Sequence, residues 1–343
     1  MRHPRFASAA LSIMIAATAA AQAAPGGYHV ARSIALGGEG GWDYLTVDPA
    51  AHRLYVSHAT RVQVIDTDTN AVVGEIPGTE GVHGIALAPE LGRGFTSNGR
   101  AGTVTVFDIK TLAVLDTVKV TGENPDAIAY EPTTRRVFTF NGRSANATAI
   151  DAATAKVVGT LPLGGKPEFA VADGKGRMYV NIEDKGALVA FDAKVLTVTA
   201  NWPLTPCEEP SGLAIDREHR RLFAGCGNKL MAVVDGDSGR VLATLPIGAG
   251  VDANAFDPAT GFAFASNGEG TLTVVHEDTP EKFTLAGNVP TKRGARTMAL
   301  DPATHRIYLA TAQFGPPPSP TAERPRPRPS IVAGTFEVIV LER

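Results

Sequence analysis

Short runs in which apolar and polar residues alternate fill the chain from Ala24 to Arg343. They are rich in Val, Ile, Thr and Phe and are broken by Gly, Pro, Asn and Asp. Alternation with a period of two, punctuated in this way, is the pattern of half-buried strands joined by tight turns. No helical period persists. One run recurs seven times: LTVDP at Leu45 to Pro49, IALAP at Ile85 to Pro89, IAYEP at Ile128 to Pro132, FAVAD at Phe169 to Asp173, LAID at Leu213 to Asp216, NAFDP at Asn254 to Pro258 and MALDP at Met298 to Pro302. Its last apolar or acidic position falls at 48, 88, 131, 173, 216, 257 and 301, in steps of 40, 43, 42, 43, 41 and 44 residues. A step of that length fits one four-stranded propeller blade.

The first unit predicts four strands: an inner one over Tyr44 to Val47, then Arg53 to Ser57, Val62 to Asp66 and an outer one over Ala71 to Ile76. A single blade leaves both sheet faces bare and becomes stable only when neighbours cover them, so seven units imply one all-β domain over residues 24–343. The seventh unit ends with a third strand at Thr335 to Leu341 and has no fourth. HVARSIALGG at His29 to Gly38 resembles the outer-strand segment VVGTLPLGG at Val157 to Gly165. The N-terminal strand, His29 to Gly37, is therefore expected to complete the last blade and leave no open edge.

Residues 1–23 read as a secretion signal, with Arg2 and Arg5, an apolar stretch over Ala9 to Ala20 and an A-x-A site at Ala21-Gln22-Ala23. No later segment is long enough to span a membrane. The product is expected to be periplasmic or secreted, and monomeric. In an oxidising compartment the two cysteines, Cys207 and Cys226, are expected to form a disulfide rather than a metal pair. Without the two leader arginines the chain carries 30 basic and 35 acidic side chains, which disfavours nucleic acid except through a local patch.

The repeat register brings two sets of polar residues toward one mouth of the central channel. Five before each landmark stand Asp43, His83, Asp126, Glu168, Ser211, Asp252 and Arg296. Ten after it stand His58, Asn98, Asn141, Cys226, Asn267 and Thr311, and a two-residue deletion moves the fourth unit's member to Asn181. These residues are the expected ligand site. Asp43, His58 and His83, from adjoining blades, offer imidazole and carboxylate donors that suit a divalent metal. Arg296 is expected to neutralise Asp43 across the ring seam. Gln313 to Ser330 is a Pro/Arg-rich loop that cannot extend a strand ladder. It reads as a lid, an anion clamp or a solvated linker, with Arg324, Arg326 and Arg328 beside Lys292, Arg293 and Arg296 making that side of the mouth basic. DTDTN at Asp66 to Asn70 lacks the Gly and Glu of a calcium loop and reads as a turn, as does Asp173-Gly174-Lys175-Gly176.

Taken whole, segments such as LTVDPAAHRLYVSH, TSNGRAGTVTVFDIKTLAVLDTV, NPDAIAYEP and FAFASNGEGTLTVVHED resemble the YncE-like branch of the YVTN-repeat β-propellers. The resemblance implies a seven-bladed, usually exported propeller that binds rather than catalyses, with DNA association in some relatives. A periplasmic binding or scaffold protein follows, holding a small ligand, a metal or a protein partner at the channel mouth. The competing class is a metal-assisted hydrolase, lactonase or lyase using Asp43, His58, His83, Asp126 and Glu168.

Overall fold

The computed structural model describes Met1, residues 25–321, Pro327 and residues 329–343. The expected leader and the arginines of the Pro-rich loop lie outside the described residues. Seven four-stranded antiparallel sheets stand in sequence. Their innermost strands are Trp42–Asp48, Val82–Ala88, Pro125–Glu131, Pro167–Ala172, Pro210–Asp216, Val251–Asp257 and Thr297–Asp301. Each packs against the next, and the seventh packs against the first, which closes the ring. In the first blade the remaining strands are Arg53–His58, Arg61–Asp66 and Val72–Ile76, within a residue of the expected bounds.

The alternating pattern explains why no blade stands alone. Successive residues of Arg53–His58 point to opposite faces. Leu54 and Val56 pack with Ala310, Val338 and Val340 of blade seven, whereas Tyr55 packs with Ile85 and Phe107 of blade two. Each middle strand is thus buried on both faces, whereas the outer strand, with Val72 and Val73 exposed, meets water. The hairpins between third and fourth strands share one turn chemistry. Asp66 Oδ1 accepts the backbone N–H groups of Asp68 and Thr69 and the Thr69 hydroxyl, and Asp108, Asp192 and Asp235 accept the corresponding N–H pairs. DTDTN is therefore an Asx turn.

Blade seven closes as expected. His29–Ala35 lies antiparallel to Glu337–Glu342, from His29 opposite Glu342 to Ala35 opposite Glu337. A disulfide joins Cys207, ahead of the inner strand of blade five, to Cys226 at the end of its second strand, with Cα atoms 5.4 Å apart. The Pro-rich loop leaves blade seven through a narrow neck. Phe314 and Ile331 form an isolated antiparallel bridge, and the Gly315 N–H donates to Ser330 O. Among the described residues no helix is long and apolar enough to cross a membrane.

Candidate functional site at the channel mouth

The polar ring is produced by a repeated backbone irregularity. Trp42 sits opposite His58, but Leu45 sits opposite Val56, so three steps on the inner strand match two on its neighbour. The same loss of register follows Val82, Pro125, Pro167, Pro210 and Val251. An extra residue of this kind bulges the strand and re-aims its side chain. The bulges hold Asp43, His83, Asp126, Glu168, Ser211 and Asp252, all half-buried. Ser57 and Ser97 hydroxyls fix two of them by accepting the Asp43 and Gly84 N–H groups, each at 2.9 Å.

Around the ring these side chains meet in compensated groups. His83 Nδ1 lies 2.6 Å from Asp43 Oδ2 and 3.5 Å from Asp126 Oδ1. Lys166 Nζ lies 2.6 Å from Glu168 Oε1 and also contacts Glu183. Arg296 pairs with Asp252 at 2.9 Å, and the Ser211 hydroxyl donates to Asp252 Oδ1 at 3.1 Å. The expected pairing of Arg296 with Asp43 is corrected accordingly; the nearest acid to Arg296 is on its own side of the seam. Burial opposes the charge on His83, yet the Asp43 hydrogen bond and the surrounding carboxylates outweigh it and raise its pKa to about 9. Burial pushes Asp126, Glu168 and Asp252 upward, partly offset by His83, Lys166 and Arg296 respectively. Tyr44, with its ring 5.1 Å from that of Phe169, sits beneath these acids; burial and their field raise its pKa far above the usual phenol value.

The residues expected to form a second ring do not line the mouth. Asn98, Asn141, Asn181 and Asn267 are wholly buried. Asn98 Nδ2 donates to the Thr103 and Thr105 hydroxyls, Asn141 Nδ2 to Asn146 Oδ1 and the Thr148 hydroxyl, and Asn267 Nδ2 to the Thr271 and Thr273 hydroxyls. They latch the second strand to the third inside each blade. Thr311 donates to Arg293 O, and Cys226 is taken by the disulfide. Asn181 is out of register with the others, because the residue paired with the start of its inner strand is Ile182. One residue earlier, it occupies the place of Ser97 and Ser266 and reaches the next blade, donating to Ser211 O and Gly212 O. A one-residue slip exchanges the faces of a strand.

His58 leaves the metal group because, in register with Asn98, it turns back into its blade. Its Nδ1 meets Gln63 Oε1 at 3.0 Å, its ring lies 4.2 Å from that of Phe336, and burial lowers its pKa. Asp126 takes its place: Asp43, His83 and Asp126 offer ligand atoms within 4.8 Å of one another. On the basic side, Lys292 pairs with Glu337, and the Arg293 guanidinium lies over the Phe314 ring.

In front of the Asp43–His83 pair opens a cavity of about 510 Å³, walled by Trp42, Asn124, Arg100, Arg143 and Arg296. Lys166, Arg100 and Arg143 were not anticipated. A signal for the two arginines was present, since Asn98-Gly99-Arg100 and Asn141-Gly142-Arg143 repeat in adjacent blades twelve residues after their landmarks. An adjoining cavity of about 530 Å³, lined by Trp42, Arg293, Phe314 and Ile331, lies at the neck of the Pro-rich loop.

No family model matches the chain, and no curated protein does. Solved structures do. The WD40 repeats of RRP9 superpose with a TM-score of 0.76 at 10% identity, covering 91% of this chain and 97% of that one. A mitotic checkpoint complex chain gives 0.72 at 13% identity, with 100% and 99% covered, and hydrazine synthase of Kuenenia stuttgartiensis gives 0.70 at 16%, with 86% and 95% covered. These likenesses show the fold: a seven-bladed β-propeller. The expected membership of the YncE-like YVTN branch is withdrawn: no family model matches, and the repeat protein among these structures carries WD40 repeats. The leader peptide and the periplasmic or secreted location read from residues 1–23 are withdrawn as well.

Proposed function

We propose that this propeller is a non-catalytic binding protein and that its ligand is a small molecule carrying an anionic group, seated in the cavity at the channel mouth. The observation that carries this reading is the convergence of Arg100, Arg143 and Arg296 on the walls of that cavity beside the His83 imidazole. Three guanidinium groups in one cavity favour a carboxylate or phosphate, which they bind in bidentate geometry. The fold alone does not separate binding from catalysis, because the matched propellers are described both as WD40 repeats and as a synthase. A divalent metal on Asp43, His83 and Asp126 would have to displace the proton that His83 Nδ1 shares with Asp43, so metal and proton compete at this site.

Thermal-shift titration with a panel of organic acids and phosphates, up to millimolar concentration, tests this. A stabilising acid whose effect is lost in the Arg100→Ala/Arg143→Ala and His83→Ala variants supports the site. If no anion stabilises the wild type, the reading fails.

A further inference from the structure

A second constellation lies away from the mouth, where the turn after the inner strand of blade five meets the third strand of blade six, Thr271–Thr279. Asp216 is the last residue of Pro210–Asp216, and His219 follows three residues later in the turn. His219 Nδ1 lies 2.7 Å from Asp216 Oδ2 and 3.1 Å from Glu277 Oε1. Asp216 also accepts the backbone N–H groups of Glu218 and His219, which hold its carboxylate toward the imidazole.

Glu277 is the anomaly. Its side chain is only 4% exposed, yet its Oε2 has no hydrogen-bond partner among the described residues and its Oε1 meets only His219 Nδ1, at 3.1 Å. His219 Nδ1 is shared between Asp216 and Glu277 Oε1, which leaves Glu277 Oε2 without a donor. The nearby guanidinium of Arg221 is committed elsewhere, to Asp235, Glu281 and the carbonyls of Pro280 and His219. A buried carboxylate left in this way is costly unless it is protonated or meets a cation.

We propose that Asp216, His219 and Glu277 form a binding site for a divalent transition-metal ion of the zinc type, which clamps blade five to blade six. The three ligand atoms lie within 4.8 Å of one another. Nitrogen and oxygen donors about 2.0–2.2 Å from a zinc ion stand roughly 3.4 Å apart when tetrahedral. The observed 2.7 and 3.1 Å separations need only a small outward movement to admit the ion where the Nδ1 proton now lies. One imidazole and two carboxylates suit zinc, and the remaining position opens to solvent through the 42% exposed His219 side chain.

Zinc titration by calorimetry, on metal-stripped full-length chain carrying His83→Ala, isolates this site from the mouth. The expected result is one equivalent bound, with an upward shift of the unfolding midpoint. Adding Glu277→Gln or His219→Asn should remove that equivalent and the shift. His219 is exposed enough that its replacement leaves the fold intact, as the midpoint in chelator will show. Cobalt substitution should give visible bands typical of N/O coordination in the His83→Ala chain alone. No zinc bound by the His83→Ala chain, or an equivalent retained by both second variants, overturns the proposal.

Discussion

His83 Nδ1 and Asp43 Oδ2 stand 2.6 Å apart across the boundary between the first two blades, each raised into the channel by a bulge in its own inner strand. The pair is therefore a proton-holding contact between blades. His83 is charged in the fold up to about pH 9, against 6.5 when free. Its contribution is fully present below pH 6.5 and is lost as pH rises through 9, up to about 3 kcal/mol.

Asp43→Asn should lower the His83 pKa by a unit or more, read by following its ring protons in NMR. The variant should lose about 1–3 kcal/mol at pH 6 and little at pH 10. An unchanged His83 titration would show that Asp126 alone suffices.

Stability should fall steadily from pH 5 to pH 9. Burial raises Glu168 from 4.5 to about 8 and Asp126 and Asp252 from 3.8 to about 6, so the folded chain keeps protons that the unfolded chain releases. A group that binds protons more tightly when folded loses stability as pH rises. His83 acts in the same direction over the upper half of that range. Urea unfolding across the range, with Glu168→Gln flattening the slope between pH 5 and 8, is the check.

Asn98→Ala should cost about 1–3 kcal/mol, because two threonine hydroxyls lose a buried partner. Anion binding at the mouth should be unaffected, since Asn98 does not line it. Weakened binding at unchanged stability would return Asn98 to the site.

Replacing Cys207 and Cys226 together by Ala should lower stability by about 3 kcal/mol, the effect of opening a loop with a separation of 19 residues. Chemical denaturation of the oxidised protein and the double variant would measure it.

The repeat was legible because the inner-strand landmark is both apolar and regularly spaced, and with it the seven blades and the closing strand. The mouth acids were legible too, since they hold a constant offset from that landmark. Their partners were not. Arg296 meets Asp252 rather than Asp43, a choice set by blade geometry that no linear offset contains. The asparagines misled because a polar residue at a strand end can face the channel or turn back on its hairpin. Asn98 and Asn141 turn back because Thr105 and Thr148, on the adjacent strand, offer hydroxyls inside the blade. Asn181 misled differently: counting through a deletion gave the right neighbourhood and the wrong face. Lys166 stands just ahead of the inner strand, outside both offsets, and was invisible to them.

Blade seven is built from both extremes of the sequence, with His29 opposite Glu342. On the ribosome the strand over His29–Ala35 emerges before any blade exists, and it must wait unpaired until Glu337–Glu342 has been made. Six sheets can form from locally contiguous chain while the seventh cannot. Contacts between such distant residues form slowly. The waiting strand spends synthesis as a free edge, the state in which chains join one another by mistake. Its Arg32, which in the finished ring lies 2.5 Å from Glu342, places a charge on that edge for as long as it stays unpaired.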